Sequence, residues 1–188
     1  MPDRSITVSP AATYDPTDSA SLVASKPNDR KSASHSPGDA NPIPASVRYR
    51  DAIYKAATAH GVDPLLMAAQ AAQESGGPTS NSGSNIVQRG GGGHGLYQID
   101  SGTYGEWLKT HHNGLNVQEN ANKAAEIDAH NLKVTGGNVG DAMHLYNAGH
   151  LGGATTQTTF PDGQTLSYPA AVQHHLKMLE ELKASQQR

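Results

Sequence analysis

The chain has 188 residues, with 14 basic against 17 acidic side chains, a formal net charge of −3 and no cysteine. That balance excludes the broad positive field that gathers nucleic acid or anionic membrane. It also leaves no disulfide, thiolate ligand or cysteine nucleophile to account for.

Residues 1–44 are dominated by Ser, Ala, Pro, Asp and Thr. Such a stretch cannot bury enough apolar surface to offset the entropy of ordering it, so a disordered arm is expected there, with one folded domain over residues 45–188. Met1 to Val8 lacks the apolar core of a classical secretory signal, and no apolar run approaches the roughly 20 residues that span a bilayer. From Ser46 the pattern becomes helical. Val47, Tyr49, Ile53, Tyr54, Ala56 and Ala57 form an apolar stripe that ends at His60-Gly61, a C-cap signal. Asp63-Pro64 then reads as an N-cap followed by proline at the first helical position, and Gly76-Gly77 as a stop. The helix between them is apolar on all sides, so it belongs in the interior.

Residues 76–95 are rich in Gly, Ser and Asn and predict a long loop, or a short irregular hairpin. A short helix follows around Tyr104–Leu108. The spacing of Ala121, Ala124, Ala125, Ile127 and Leu132 predicts a helix over Val117–Val134, stopped by Gly136-Gly137. Asp141–Asn147 predicts another, residues 149–167 a further loop, and Tyr168-Pro169 the start of a last helix carrying Val172, Leu176, Met178, Leu179 and Leu182. Strand signals are weak throughout. The fold class is therefore mainly α.

Glu74 is the outstanding residue, because it closes the apolar helix. A carboxylate at a helix C-terminus opposes the helix dipole, and partial desolvation there raises its pKa, which is what a general acid near neutral pH requires. The run Gly90–Gly93 is a poor phosphate loop, since no Lys-Ser/Thr follows it. The pairs His111-His112 and His174-His175 lack the i, i+4 spacing that would seat a metal on one helix face, and no cofactor is expected.

Five segments in order, Ala-His-Gly-Val-Asp-Pro, Ala-Gln-Glu-Ser-Gly-Gly, Gly-Leu-Tyr-Gln-Ile-Asp, Tyr-Asn-Ala-Gly and Tyr-Pro-Ala-Ala-Val, resemble the goose-type lysozyme and soluble lytic transglycosylase family. The resemblance covers residues 46–180. It implies a lysozyme-like α fold and cleavage of the β-1,4 bond between N-acetylmuramic acid and N-acetylglucosamine in peptidoglycan. It places Glu74 as the catalytic acid, Gln98, Tyr146 and Asn147 along the saccharide cleft, and Tyr168 against the glutamate, with core packing the other use of the two tyrosines. Tyr97 stands where methionine is commoner and is a further substrate candidate, as is His94 beside the Gly-Leu-Tyr-Gln segment, while Ser75 either caps the helix end or bonds substrate. Asp100 matches an aspartate that holds water on the far face of the sugar, as the base of an inverting hydrolase. Asp100 also suits the N-cap of the helix that follows it. Residues 75–99 contain no Asp or Glu where goose-type lysozymes carry a further aspartate.

Two reactions stay open. Hydrolysis, with Asp100 as base, is the leading expectation. In lytic transglycosylation the muramic acid's own 6-hydroxyl attacks, and Glu74 acts alone. A non-catalytic glycan-binding module is the alternative from another class. The expected partner is the peptidoglycan glycan strand, met by a monomer. The expected site of action is the bacterial cell wall, in the periplasm or outside the cell. Without a classical signal, export would use a specialised secretion or phage apparatus, or release by lysis, and an inhibitor or immunity partner fits such an antimicrobial setting.

Overall fold

The computed structural model describes residues 41–90 and 92–186. The arm expected over residues 1–44 therefore lies mostly outside the described residues. Its last four residues belong to the folded unit, which starts at Asn41. Ile43 is 1% exposed, and its N–H donates to Asn41 Oδ1 at 3.0 Å. The boundary falls before Asn41 because the isolated Ile43 finds a core site that composition does not reveal.

The described residues form six α-helices, a single 3-10 turn at His112–Gly114 and two small sheets. Helix α1 (Arg50–His60) starts later than the apolar stripe from Val47 suggests, because Tyr49 sits in the left-handed region at φ 61°. It ends where Gly61 takes φ 69°. Helix α2 (Pro64–Ser75) is capped by the Asp63 carboxylate, which accepts from Leu65 N–H at 2.7 Å and Leu66 N–H at 3.3 Å. Leu66 to Ala72 are all buried, as a helix at the centre of the fold requires.

The glycine-rich stretch folds into a three-stranded antiparallel sheet of β1 (Ile86–Val87), β2 (Gly93–Gly95) and β3 (Ile99–Asp100). Strands of two or three residues are too short to show alternation, so only an irregular hairpin is legible beforehand. Helix α3 (Ser101–Thr110) is kinked at Tyr104 (φ −116°, ψ 26°). Helix α4 (Val117–Val134) has the expected bounds, and α5 (Val139–Ala148) is slightly longer than expected.

The loop expected over residues 149–167 contains an antiparallel hairpin instead, β4 (Gln157–Thr159) paired with β5 (Thr165–Ser167). Its stability is tertiary. Phe160, the only phenylalanine of the chain, is 3% exposed and packs at 4.2 Å between ring centroids on His174 of α6 (Tyr168–Gln186). Helix α2 lies against α1 and α6, α4 against α1 and α5, and α5 against α6. The alanines of α1, α2 and α4 let these backbones approach closely. Among the described residues no helix is long and apolar enough to cross a membrane.

Candidate active site

Glu74 sits in the last turn of α2, partly buried. Removal of water from around the carboxyl raises its pKa from 4.5 to about 7, against the lowering effect of a hydrogen bond from Tyr168. That bond, Tyr168 Oη to Glu74 Oε1, is 2.5 Å. The group is thus poised between donor and base near neutrality.

Tyrosines wall this carboxyl. Tyr168 is the first residue of α6 and 1% exposed. Tyr146 of α5 stacks parallel to it with ring centroids 6.4 Å apart and donates to Tyr97 O at 2.8 Å. Burial raises the pKa of both phenols, and the charge of Glu74 raises it further, so both stay neutral donors. The segment between β2 and β3 is held behind them by Asn120 of α4. Its Oδ1 accepts from Tyr97 N–H at 2.8 Å, and its Nδ2 donates to His94 O at 2.9 Å. Gly95 adopts φ 76° in that segment, and a Cβ there would collide with Gly114 O and the Asn120 amide.

The expected cleft residues divide. Glu74, Tyr146 and Tyr168 come together. Tyr97 does not line a cleft: it is fully buried, and its hydroxyl donates to Met67 O at 3.0 Å. Ser75 Oγ donates to Leu96 O at 2.7 Å and accepts from Ser84 N–H at 2.9 Å, tying α2 to the loop beyond it. Gln98, at φ 48°, directs its amide nitrogen back onto Gly95 O at 2.7 Å and Ile86 O at 3.0 Å. His94 Nδ1 meets Asn113 O at 3.1 Å. Asn147 Oδ1 accepts from Thr156 N–H at 2.8 Å and anchors the strand-bearing loop. Asp100 is exposed and caps α3, its Oδ2 accepting from Thr103 N–H at 2.7 Å and Thr103 Oγ1 at 2.8 Å.

Three further residues shape the site. Gln73 Nε2 donates to Thr158 Oγ1 at 2.8 Å, pinning the β4–β5 hairpin beside Glu74. Gln70, one turn before Glu74, donates from Nε2 to Asp128 Oδ1 at 3.2 Å inside the core. A signal for Asp128 exists in the sequence: it continues the buried stripe Ala121, Ala124, Ala125 at helical spacing, where a carboxylate is out of place. No group of three His, Asp or Glu side chains that could hold a metal is found among the described residues.

A family model described as "Transglycosylase SLT domain" matches residues 51–162, more than half of the chain, and the chain belongs to that family, within the lysozyme-like superfamily. The protein is therefore a peptidoglycan-cleaving enzyme acting on the cell wall. Comparison with curated proteins and with solved structures returns no match. The matched stretch stops before Tyr168, so the contact between α6 and Glu74 is read from the fold alone.

Proposed function

We propose that the protein is a lytic transglycosylase that cleaves the β-1,4 bond between N-acetylmuramic acid and N-acetylglucosamine, with Glu74 as its single acid and base. The observation carrying this reading is the setting of Glu74, half-protonated near neutrality and hydrogen-bonded to a neutral phenol. The protonated carboxyl gives its proton to the bridging oxygen as that oxygen leaves C1 of the muramic acid. The resulting carboxylate then takes the proton of the 6-hydroxyl as its oxygen bonds to C1. No water enters, the 1,6-anhydro ring forms, and Glu74 returns to its starting state.

Hydrolysis needs a second carboxyl to activate water across the ring. The candidate, Asp100, is exposed and committed to capping α3, and residues 75–99 offer no other acid. The reading thus turns from the hydrolase expected first to the transglycosylase. Mass spectrometry of digested sacculi tests it: 1,6-anhydro muropeptides support it, and reducing ends replace it by hydrolysis. A non-catalytic module predicts no soluble muropeptides at all. Residues 1–40 precede the folded unit, and we assign them to delivery: their deletion leaves cleavage of isolated sacculi intact.

A further inference from the structure

Behind Glu74 lies a second carboxyl that the proposed reaction does not use. Asp128 of α4 is 0% exposed, as is its partner Gln70 of α2. One hydrogen bond joins them, and it leaves two buried acceptors, Gln70 Oε1 and Asp128 Oδ2, without a donor. Each such orphan costs on the order of 1–3 kcal/mol. A single proton on Asp128 Oδ2 relieves both, because Oδ2–H donates to Oε1 while Nε2–H donates to Oδ1. This is the two-bond ring that a carboxylic acid forms with a primary amide.

The groups facing Asp128 agree with a neutral acid. Burial does most to raise Asp128, to about 8; of the α2 groups that face it, the Gln70 hydrogen bond lowers it and the charge of Glu74 raises it. The segment between β2 and β3 supplies Tyr97, α5 supplies Tyr146 and α6 supplies Tyr168, and the negative charge of Asp128 bears on all three phenols. The buried residues of α1, which packs on α4, are Ile53, Ala56 and Ala57, none of them ionisable.

We propose that Asp128 is a positioning residue for Glu74: its protonated carboxyl closes a ring with Gln70 that fixes the last turns of α2, and the two walled-in acids make the site admit one negative charge before two. This rests on the reading of Glu74 as the acid. Glu74 ionises first, and its charge holds the proton on Asp128, so the ring with Gln70 persists while Glu74 gives and retakes its proton.

The test compares the full-length wild type with Asp128→Asn and Asp128→Leu. Asparagine keeps both ring bonds and cannot ionise; leucine keeps the bulk and breaks the ring. The expected result is a D128N alkaline limb of kcat that coincides with wild type, because the acid it replaces is neutral while Glu74 titrates. A D128L plateau lowered tenfold or more, restored largely in D128N, is expected with it. A D128L plateau equal to wild type, or one that D128N fails to restore, overturns the proposal, as does a D128N limb displaced to lower pH, which would show that Asp128 is charged while Glu74 titrates.

Urea unfolding reads the buried acid separately. An acid protonated in the folded state and ionised in the unfolded state weakens folding as pH rises. The folded-to-unfolded ratio of wild type relative to D128N should therefore fall about tenfold per pH unit between pH 5 and 7. Parallel curves overturn the neutral acid. Should Glu74→Gln still cleave sacculi, the positioning role falls together with the reading of Glu74, whereas the unfolding comparison still reports on Asp128, so the two failures are distinguishable.

Discussion

Tyr168 Oη lies 2.5 Å from Glu74 Oε1, joining the first residue of α6 to the last turn of α2 across 94 residues of chain. The phenol is a donor to the carboxylate, so it lowers the proton affinity that burial raises. The two effects together leave Glu74 titrating near neutrality, where one group can first give and then take a proton.

Removing the donor should move that balance. Tyr168→Phe keeps the ring that stacks on Tyr146 and loses only the hydroxyl. The alkaline limb of the pH–rate profile should rise by roughly one unit, since a hydrogen bond to a charged group is worth about 1.5 kcal/mol or more. A limb that stays in place or falls would show that the phenol does not act on Glu74.

Glu74→Gln removes the transferable proton. Turnover on purified sacculi should fall about 10³-fold or more while glycan binding persists. Stability should change in the opposite sense. The wild-type carboxyl binds its proton more tightly folded than unfolded, so its cost is absent below the unfolded pKa of about 4.5 and complete above about 7. Thermal unfolding should therefore coincide for the two proteins at pH 4. At pH 8 the variant should be more stable, on the order of 1 kcal/mol.

Asp100 separates the two reactions. If it only caps α3, Asp100→Asn keeps turnover within about threefold, because Asn caps as well as Asp. Asp100→Ala then destabilises by about 1 kcal/mol, visible in urea titration. Loss of about 10²-fold or more in D100N would instead mark a general base and restore hydrolysis.

Gly95→Ala tests the backbone that carries Tyr97 and Gln98. A methyl group there meets Gly114 O and Asn120 in a left-handed conformation. Destabilisation of about 2 kcal/mol or more is expected, with a corresponding fall in Tm. An unchanged Tm would mean that the segment is not clamped by Asn120.

The sequence by itself determined the helices whose signals are local. Asp63-Pro64 and Gly76 bound α2 because caps act within one turn, and the alanine spacing bounds α4. Glu74 was legible for the same reason, as a charge at the end of an apolar helix. The resemblance added Tyr168, which bonds the glutamate, and Tyr146, which stacks on Tyr168, but it also offered Tyr97, whose side chain serves the core.

Only the tertiary structure decided the rest, because those features are made by partners distant in the chain. The β4–β5 hairpin depends on Phe160 against His174 and on Thr158 against Gln73, 85 residues away. Asp128 looks like an error in a buried stripe until Gln70, 58 residues away, is set opposite it. Burial, which moves the protons of Glu74 and Asp128, is supplied jointly by α2, α4, α5 and α6, and no single segment of the chain encodes it.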